Sequence, residues 1–277
     1  MNKLKYNNKT ALVTGAASGL GFEFSLLLAK DSYNLILVDI DTKKLEYAKN
    51  RIQEAYDVNV KILAKDLSKP NISQEIFEHV KEIPIDVLIN NAGFGLYGEF
   101  SNTDWFRESE MLNLHINTTT QLTKLILRGM VDRDYGKILN ISSLAAFLPG
   151  PLMAIYYASK AYILSFSEAI ANELKGTGVT VTVLCPGQTR TSFQKIVSNA
   201  SSKNKETFNM ACPLEVAKYG YSAMLKGKTV VIPGTFNKFV AILSRFVPRN
   251  MTTSIVRKIQ EKNRHMQTDK VVEMVID

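Results

Sequence analysis

A short apolar run, TALVT at 10–14, is followed at once by three glycines within seven residues and then by the helical stretch FEFSLLLAK. Strand, glycine-rich turn and helix in that order form the context in which glycines acquire a phosphate-binding meaning. In TGAASGLG, Gly15 allows the tight turn, Gly19 lets the backbone approach a pyrophosphate, and Gly21 lets the helix pack close to the strand. Thr14, Ser18 and Leu20, within the same turn, join them as candidate cofactor contacts. A plain strand-to-helix turn seldom needs three glycines. The spacing, G-x-x-x-G-x-G, departs from the general dinucleotide fingerprint G-x-G-x-x-G.

Further strands follow at regular intervals, each trailed by a helical pattern. NLILVDID (34–41) carries Asp39, 18 residues past Gly21, where a carboxylate can accept hydrogen bonds from the ribose hydroxyls of NAD. The same carboxylate repels the extra phosphate of NADP, and neither Ser18 nor Ile40 is basic, so NAD is favoured. Lys43 and Lys44 keep NADP open. VKILAKDLS (60–68) ends in Asp66 and Leu67, candidate adenine contacts; the alternative is an aspartate capping the helix over 72–82. IDVLINNAG (85–93) delivers Asn90, which can brace neighbouring strands, and Ala92 and Gly93, which leave room for a flat ligand. A helical pattern over 103–133 holds Asn113 among apolar positions, where a buried polar side chain needs partners and can hold a kink or a water. GKILNISS (136–143) and VTVTVLCPG (179–187) complete the series, the latter leading through Pro186 and Gly187 to Thr189 and Thr191. Strands alternating with helices predict a Rossmann-like, doubly wound parallel sheet with helices on both faces, whose ligands bind at the carboxyl ends of the strands.

At one such end lies the chemistry. Ser143 is followed after thirteen residues by Tyr156 and after four more by Lys160. A helix over 155–175 puts Tyr156 and Lys160 one turn apart on one face. An ammonium beside a phenol favours the phenolate, which predicts a tyrosine pKa drawn from about 10 toward neutrality. Such a tyrosine exchanges a proton with a substrate oxygen, and Ser143 can fix that oxygen. Taken alone, Tyr-x-x-x-Lys is also a common surface pair.

With 45% hydrophobic and 22% charged residues in 277, the chain has ample core for one large domain. No apolar run approaches a membrane span. Two cysteines form no framework, and the N-terminus lacks a hydrophobic signal core, so a reduced, cytoplasmic setting is expected. No metal site is expected. The excess charge is confined to the last third: residues 186–277 hold 15 Lys and Arg against 6 Asp and Glu. That basic third contains no aromatic-interleaved nucleic-acid module, so no nucleic-acid partner is expected.

The glycine turn, Asn90-Asn91-Ala92-Gly93, Ser143, Tyr156 and Lys160, in this order, resemble the short-chain dehydrogenase/reductase family, in its compact single-domain branch. The resemblance covers roughly residues 8–235, and the branch's own turn, T-G-x-x-x-G-x-G, accounts for the unusual glycine spacing. It implies Asn113, Ser143, Tyr156 and Lys160 as the catalytic residues, with Asn113 supporting a water that links Lys160 to solvent. For the cofactor it implies Thr14, Gly15, Gly19, Gly21, Asp39, Asp66, Asn90, Ala92, Gly93, Pro186, Gly187 and Thr191, together with Tyr156 and Lys160. Thr189 stands where many relatives carry valine or isoleucine. Tyr157 misses the thirteen-residue spacing.

The implied reaction is hydride transfer between NAD, or NADP, and a secondary alcohol or ketone, by a homodimer or homotetramer. Phe94, Leu96, Tyr97, Leu144, Phe147, Leu148 and Met153, with Phe193, Ile196 and Val197 from the loop 190–212, are the expected apolar lining of a hydrophobic substrate site. Residues 1–235 are expected to form the catalytic domain and 236–277 a C-terminal amphipathic helical extension. The extension reads as a lid or oligomer contact, or alternatively as a basic helix, within 236–264, lying on an anionic membrane. Two other functions remain beside the alcohol/ketone oxidoreductase: an NADPH-dependent reductase of lipid-like carbonyls at a membrane, and a regulatory protein that binds NAD(H) without turnover.

Overall fold

The computed structural model describes residues 9–190 and 210–272. Seven parallel strands form one sheet in the order β3-β2-β1-β4-β5-β6-β7. They are β1 Thr10–Thr14, β2 Asn34–Asp39, β3 Val60–Ala64, β4 Val87–Asn90, β5 Gly136–Ile141, β6 Val179–Leu184 and the two-residue β7 Val230–Val231. The helices between them are α1 Gly19–Lys30, α2 Thr42–Ala55, α3 Ile72–Val80, α4 Trp105–Leu112, α5 Thr119–Asp132, α6 Ala154–Glu173 and α7 Pro213–Leu225. Two more, α8 Thr235–Leu243 and α9 Arg249–Val272, follow the last strand.

Alternation along the strands divides the core in two, because successive side chains point to opposite faces. Ala11, Val13, Leu35 and Leu37 pack on one face with Phe24 and Leu28 of α1 and Val216 of α7. Leu12, Ile36, Val38 and Leu88 pack on the other with Ile76 of α3 and Leu122 and Ile126 of α5. Strands buried on both sides read as unbroken apolar runs, which is why the sequence marks them so plainly.

β1 pairs with β2 on one side and β4 on the other, with Val13 opposite both Leu37 and Ile89. Chain direction across the sheet reverses between these two neighbours, and a crevice opens beyond their carboxyl ends. The turns leaving β1 and β4 are bolted together there. The Thr14 hydroxyl accepts from the amides of Asn91 (3.0 Å) and Ala92 (3.1 Å), and the Asn91 side chain donates to the Thr14 and Gly15 carbonyls.

The helical pattern over 103–133 is not one regular helix. Between α4 and α5, Asn113–Thr118 winds as a π-helix. A π segment widens the turn and redirects the side chains on it. Here it swings His115 inward, fully buried, toward α6. Asn113 opens the segment at the expected kink, its side-chain oxygen accepting from the Asn117 amide at 2.8 Å.

Candidate active site

Every strand that enters the crevice delivers one part of the site. At β1, Gly15 has φ +64°, and a Cβ on Gly21 would land against the Gly15 carbonyl oxygen. Ser18 is the N-cap of α1 yet makes no side-chain cap hydrogen bond. The helix therefore begins with amides that its own cap does not use, beside glycines that keep side chains out. That donor set fits a pyrophosphate.

At β2, Asp39 is held at both oxygens: one accepts from the Ala17 amide (3.0 Å), the other from the Asp41 amide (3.1 Å). The carboxylate is thereby fixed beside the glycine turn, where the ribose of a dinucleotide is expected. Ile40 next to it is exposed. Lys44 is spent on Asp41, 2.7 Å away, while Lys43 is solvent-exposed on the first turn of α2.

Asp66 does not cap α3, whose N-cap is Asn71. It closes the turn 66–69 instead, accepting from the Ser68 amide (3.0 Å) and hydroxyl (2.7 Å). Burial raises its pKa, but those hydrogen bonds and the Lys69 ammonium outweigh it and hold the carboxyl below its usual value. The Leu67 side chain joins the core, and its carbonyl accepts from Thr118. Asn90 braces the sheet: its side-chain amide donates to Thr123 (2.9 Å) and Asn140 (2.8 Å), and Asn140 in turn donates to Ser167 of α6. Gly93 lies over His115, and a Cβ there would strike His115 Nε2, so only glycine fits at this end of β4.

β5 ends at Ser143, which caps a 3-10 turn over Leu144–Phe147 by accepting from the Ala145 amide at 3.1 Å. The Ser143 hydroxyl is also hydrogen-bonded to the Tyr156 phenol. Lys160, one helical turn beyond, is buried; its ammonium donates to the Ile141 carbonyl at 3.0 Å and lies 5.7 Å from the Tyr156 ring centre. Ser143, Tyr156 and Lys160 are thus brought together as expected.

Their electrostatics are not as expected. Burial pushes the Tyr156 phenol up to about 12, against the Ser143 hydrogen bond that pulls it down. Burial also pulls the Lys160 ammonium down to about 8. The lysine one turn away predicts a phenol drawn toward neutrality. In the structure desolvation governs both groups, and the ammonium is engaged by a backbone carbonyl. At neutral pH Tyr156 is a neutral proton donor.

His115 belongs to this site although no motif or spacing in the sequence marks it. His115 Nε2 accepts from the Phe94 amide at 3.3 Å, which leaves the hydrogen on Nδ1, 2.8 Å from the Ser159 hydroxyl. Ser159 in turn donates to the Tyr156 carbonyl at 2.8 Å. Burial and the neighbouring Lys160 charge hold the imidazole well below its usual pKa, so it is neutral. Its ring meets Tyr156 edge-on at 6.1 Å. A lone histidine two residues past Asn113, in an otherwise apolar run, was the available signal.

Of the expected substrate residues, Phe94 packs against the core and under the Arg107 guanidinium at 4.7 Å. Leu96, Tyr97, Leu144 and Leu148 are half-buried near the same end, and Met153 is buried. Phe147, in the 3-10 segment, is half-buried against the cluster of Ile163, Leu164, Val183 and Cys185. The loop 94–100 is tied to the segment before α6 by the Gly98 amide, which donates to Leu152 at 2.9 Å. Tyr157 faces away toward α9, where its hydroxyl accepts from Gln260 at 2.8 Å. Beyond β6, the Pro186 carbonyl accepts from Leu144, Gly187 packs against Asn237 of α8, and Thr189 is buried opposite Ala211. Thr191, Phe193, Ile196 and Val197 lie outside the described residues.

A sequence profile described as "short chain dehydrogenase" matches residues 9–202. Mouse 17-beta-hydroxysteroid dehydrogenase type 3 is 34% identical over 208 residues, spanning 74% of this chain and 68% of that protein. Mouse very-long-chain 3-oxoacyl-CoA reductase is 32% identical over 207 residues, spanning 72% and 65%. Among solved structures, a short-chain dehydrogenase from Sphingobium yanoikuyae in complex with NADPH superposes with a TM-score of 0.77 at 27% identity, covering 84% of this chain and 91% of that one. Glycine turn, Ser143, Tyr156 and Lys160 at one crevice, and a profile match over most of the catalytic fold, lead to one conclusion: the chain belongs to the short-chain dehydrogenase/reductase family and is a nicotinamide-dependent oxidoreductase.

Proposed function

We propose that the protein interconverts a bulky hydrophobic ketone and its secondary alcohol, with NAD(H) favoured and Tyr156 as general acid and base. The observation that carries this reading is the hydrogen bond between the Ser143 hydroxyl and a Tyr156 phenol kept neutral by burial. A carbonyl oxygen placed against that pair receives one hydrogen bond from each. A nicotinamide cofactor, when bound, supplies or accepts the hydride. In reduction Tyr156 Oη gives its proton to the substrate oxygen; in oxidation it takes that proton back, which requires the phenol to have lost its own first. Asp39, Gly15, Gly19 and Gly21 hold the dinucleotide, and the Lys160 ammonium, with donors beyond the one spent on Ile141, can hold the ribose next to the reacting carbon.

The substrate class rests on the apolar surroundings, Phe94, Leu96, Leu144 and Met153, and agrees with the steroid and very-long-chain acyl names of the relatives. A second reading, an NADPH-dependent reductase of lipid-like carbonyls, is favoured by the NADPH complex of a similar fold and by exposed Lys43 beside Asp39. Fluorescence titration with NADH and NADPH, followed by turnover on steroid ketones, 3-oxoacyl thioesters and small polar ketones, tests both. Tighter NADH binding and turnover confined to the bulky apolar ketones is the expected result. Tighter NADPH binding selects the second reading, and preference for small polar ketones overturns the substrate class.

A further inference from the structure

The two helices after β7 each carry two stripes of opposite character. In α9, Thr252 and Val256 are buried and Gln260 is half-buried at i, i+4 and i+8. This inner stripe grips the body through the Gln260 hydrogen bond to Tyr157, and Arg257 beside it pairs with Glu99. One residue back, and so about 100° around the helix, Met251, Ile255 and Ile259 are each at least half exposed. In α8, Ala241 is buried and Asn237 packs on Gly187, while Phe236 (73%), Phe239 (59%) and Ile242 (60%) stand in solvent. Phe246, just past its end, is 78% exposed. Solvent-exposed phenylalanines in such number mark a surface that something covers.

Charge says what covers it. Residues 235–262 hold six Lys and Arg and a single acid, Glu261, which is paired with Arg257. Exposed Arg245 and Arg249 flank Phe246, and exposed Lys258 and Lys262 flank Ile259. Two copies of this face meeting about a two-fold axis would set these cations against one another. Apolar side chains and cations together on a helix pinned to a globular body match the layer where acyl chains meet anionic headgroups. Among the described residues no helix is long and apolar enough to cross a membrane, so the helices would lie along it.

We propose that α8 and α9 form a docking surface for an anionic lipid membrane. Phe236, Phe239, Ile242 and Phe246 of the first helix, and Met251, Ile255 and Ile259 of the second, enter the acyl boundary, while Arg245, Arg249, Lys258 and Lys262 meet the headgroups. The inner stripe of α9 touches Tyr157, whose ring lies 6.1 Å from that of Tyr156, so the docked face is the outer wall of the active-site region. Membrane binding itself is independent of which substrate is turned over.

The test is vesicle flotation of the full chain, with phosphatidylcholine vesicles lacking or containing phosphatidylglycerol. Binding to the acidic vesicles is expected to exceed binding to neutral ones by about tenfold or more. It should weaken in ~1 M salt, where the screening length shrinks to ~3 Å. The double variants Phe239→Ser/Phe246→Ser and Arg245→Glu/Arg249→Glu should each lose it, with circular dichroism and NADH fluorescence unchanged. Equal binding to both vesicle types, or none, overturns the proposal. So does a concentration-dependent dimer in sedimentation velocity that the phenylalanine variant abolishes without any vesicle binding, since the face would then pair two copies. None of these readouts uses turnover, so failure here and failure of the proposed reaction are distinguishable.

Discussion

Around the glycine turn, backbone meets backbone: Thr14, Gly15 and Asn91 interlock, and Gly21 leaves no room for a methyl group before the Gly15 carbonyl. Around Tyr157, side chains meet across a long stretch of chain, as Gln260 reaches a residue 103 positions away. The first kind of contact tolerates almost no change, because a backbone cannot step aside. The second can be lost one hydrogen bond at a time. The glycine turn is therefore the less tolerant of the two regions.

Gly21→Ala should have the largest effect. The new methyl group forces the turn apart, with a stability loss of about 1–3 kcal/mol, the usual range for overpacking. NADH affinity should fall with it, measured by urea unfolding and nicotinamide fluorescence. Unchanged affinity would mean that the turn is not the cofactor cradle.

Lys160 provides a comparable effect with a pH signature. Its folded pKa, about 8, lies below the unfolded value of about 10.4, so between these the unfolded state binds more protons and stability rises with pH. The gain approaches about 3 kcal/mol at most. Tyr156 acts oppositely above pH ~10, since its raised pKa favours the unfolded phenolate there. Subtracting the profile of Lys160→Met from that of the wild type should isolate the rise, and parallel profiles would contradict the burial of the ammonium.

His115, neutral and buried, predicts a loss of stability at acid pH. Unfolding lets the imidazole take up a proton, so stability should fall as pH drops below about 6.5 and on toward the lowered folded pKa. His115→Gln should flatten that decline. Gln260→Ala should cost least, about 0.5–1.5 kcal/mol for one hydrogen bond, and should leave NADH binding alone. A loss of NADH affinity in that variant would show the two ends to be coupled.

What the sequence made legible follows the same division. Close backbone approach must be written in glycine, so Gly15 and Gly21 announced themselves, and strands buried on both faces appeared as apolar runs. Thirteen- and four-residue spacings sufficed to bring Ser143, Tyr156 and Lys160 together. Desolvation was not legible: the lysine suggested a phenol near neutrality, and only the packed site shows burial outweighing charge. The roles of Asp66 and His115 were hidden for another reason. Each depends on partners set by turn and π-helix geometry, which no residue spacing displays. The exposed stripes of α8 and α9 were visible as amphipathic patterns, but which stripe packs inward required the contacts with Gly187 and Tyr157.

The most direct test of the account is Tyr156→Phe, assayed for ketone reduction and, in the same preparation, for NADH binding. Losing the proton donor while keeping the ring should lower turnover by about 10²–10⁴-fold and leave NADH affinity near that of the wild type. Turnover preserved in the variant would remove Tyr156 from the chemistry and with it the mechanism proposed for this site.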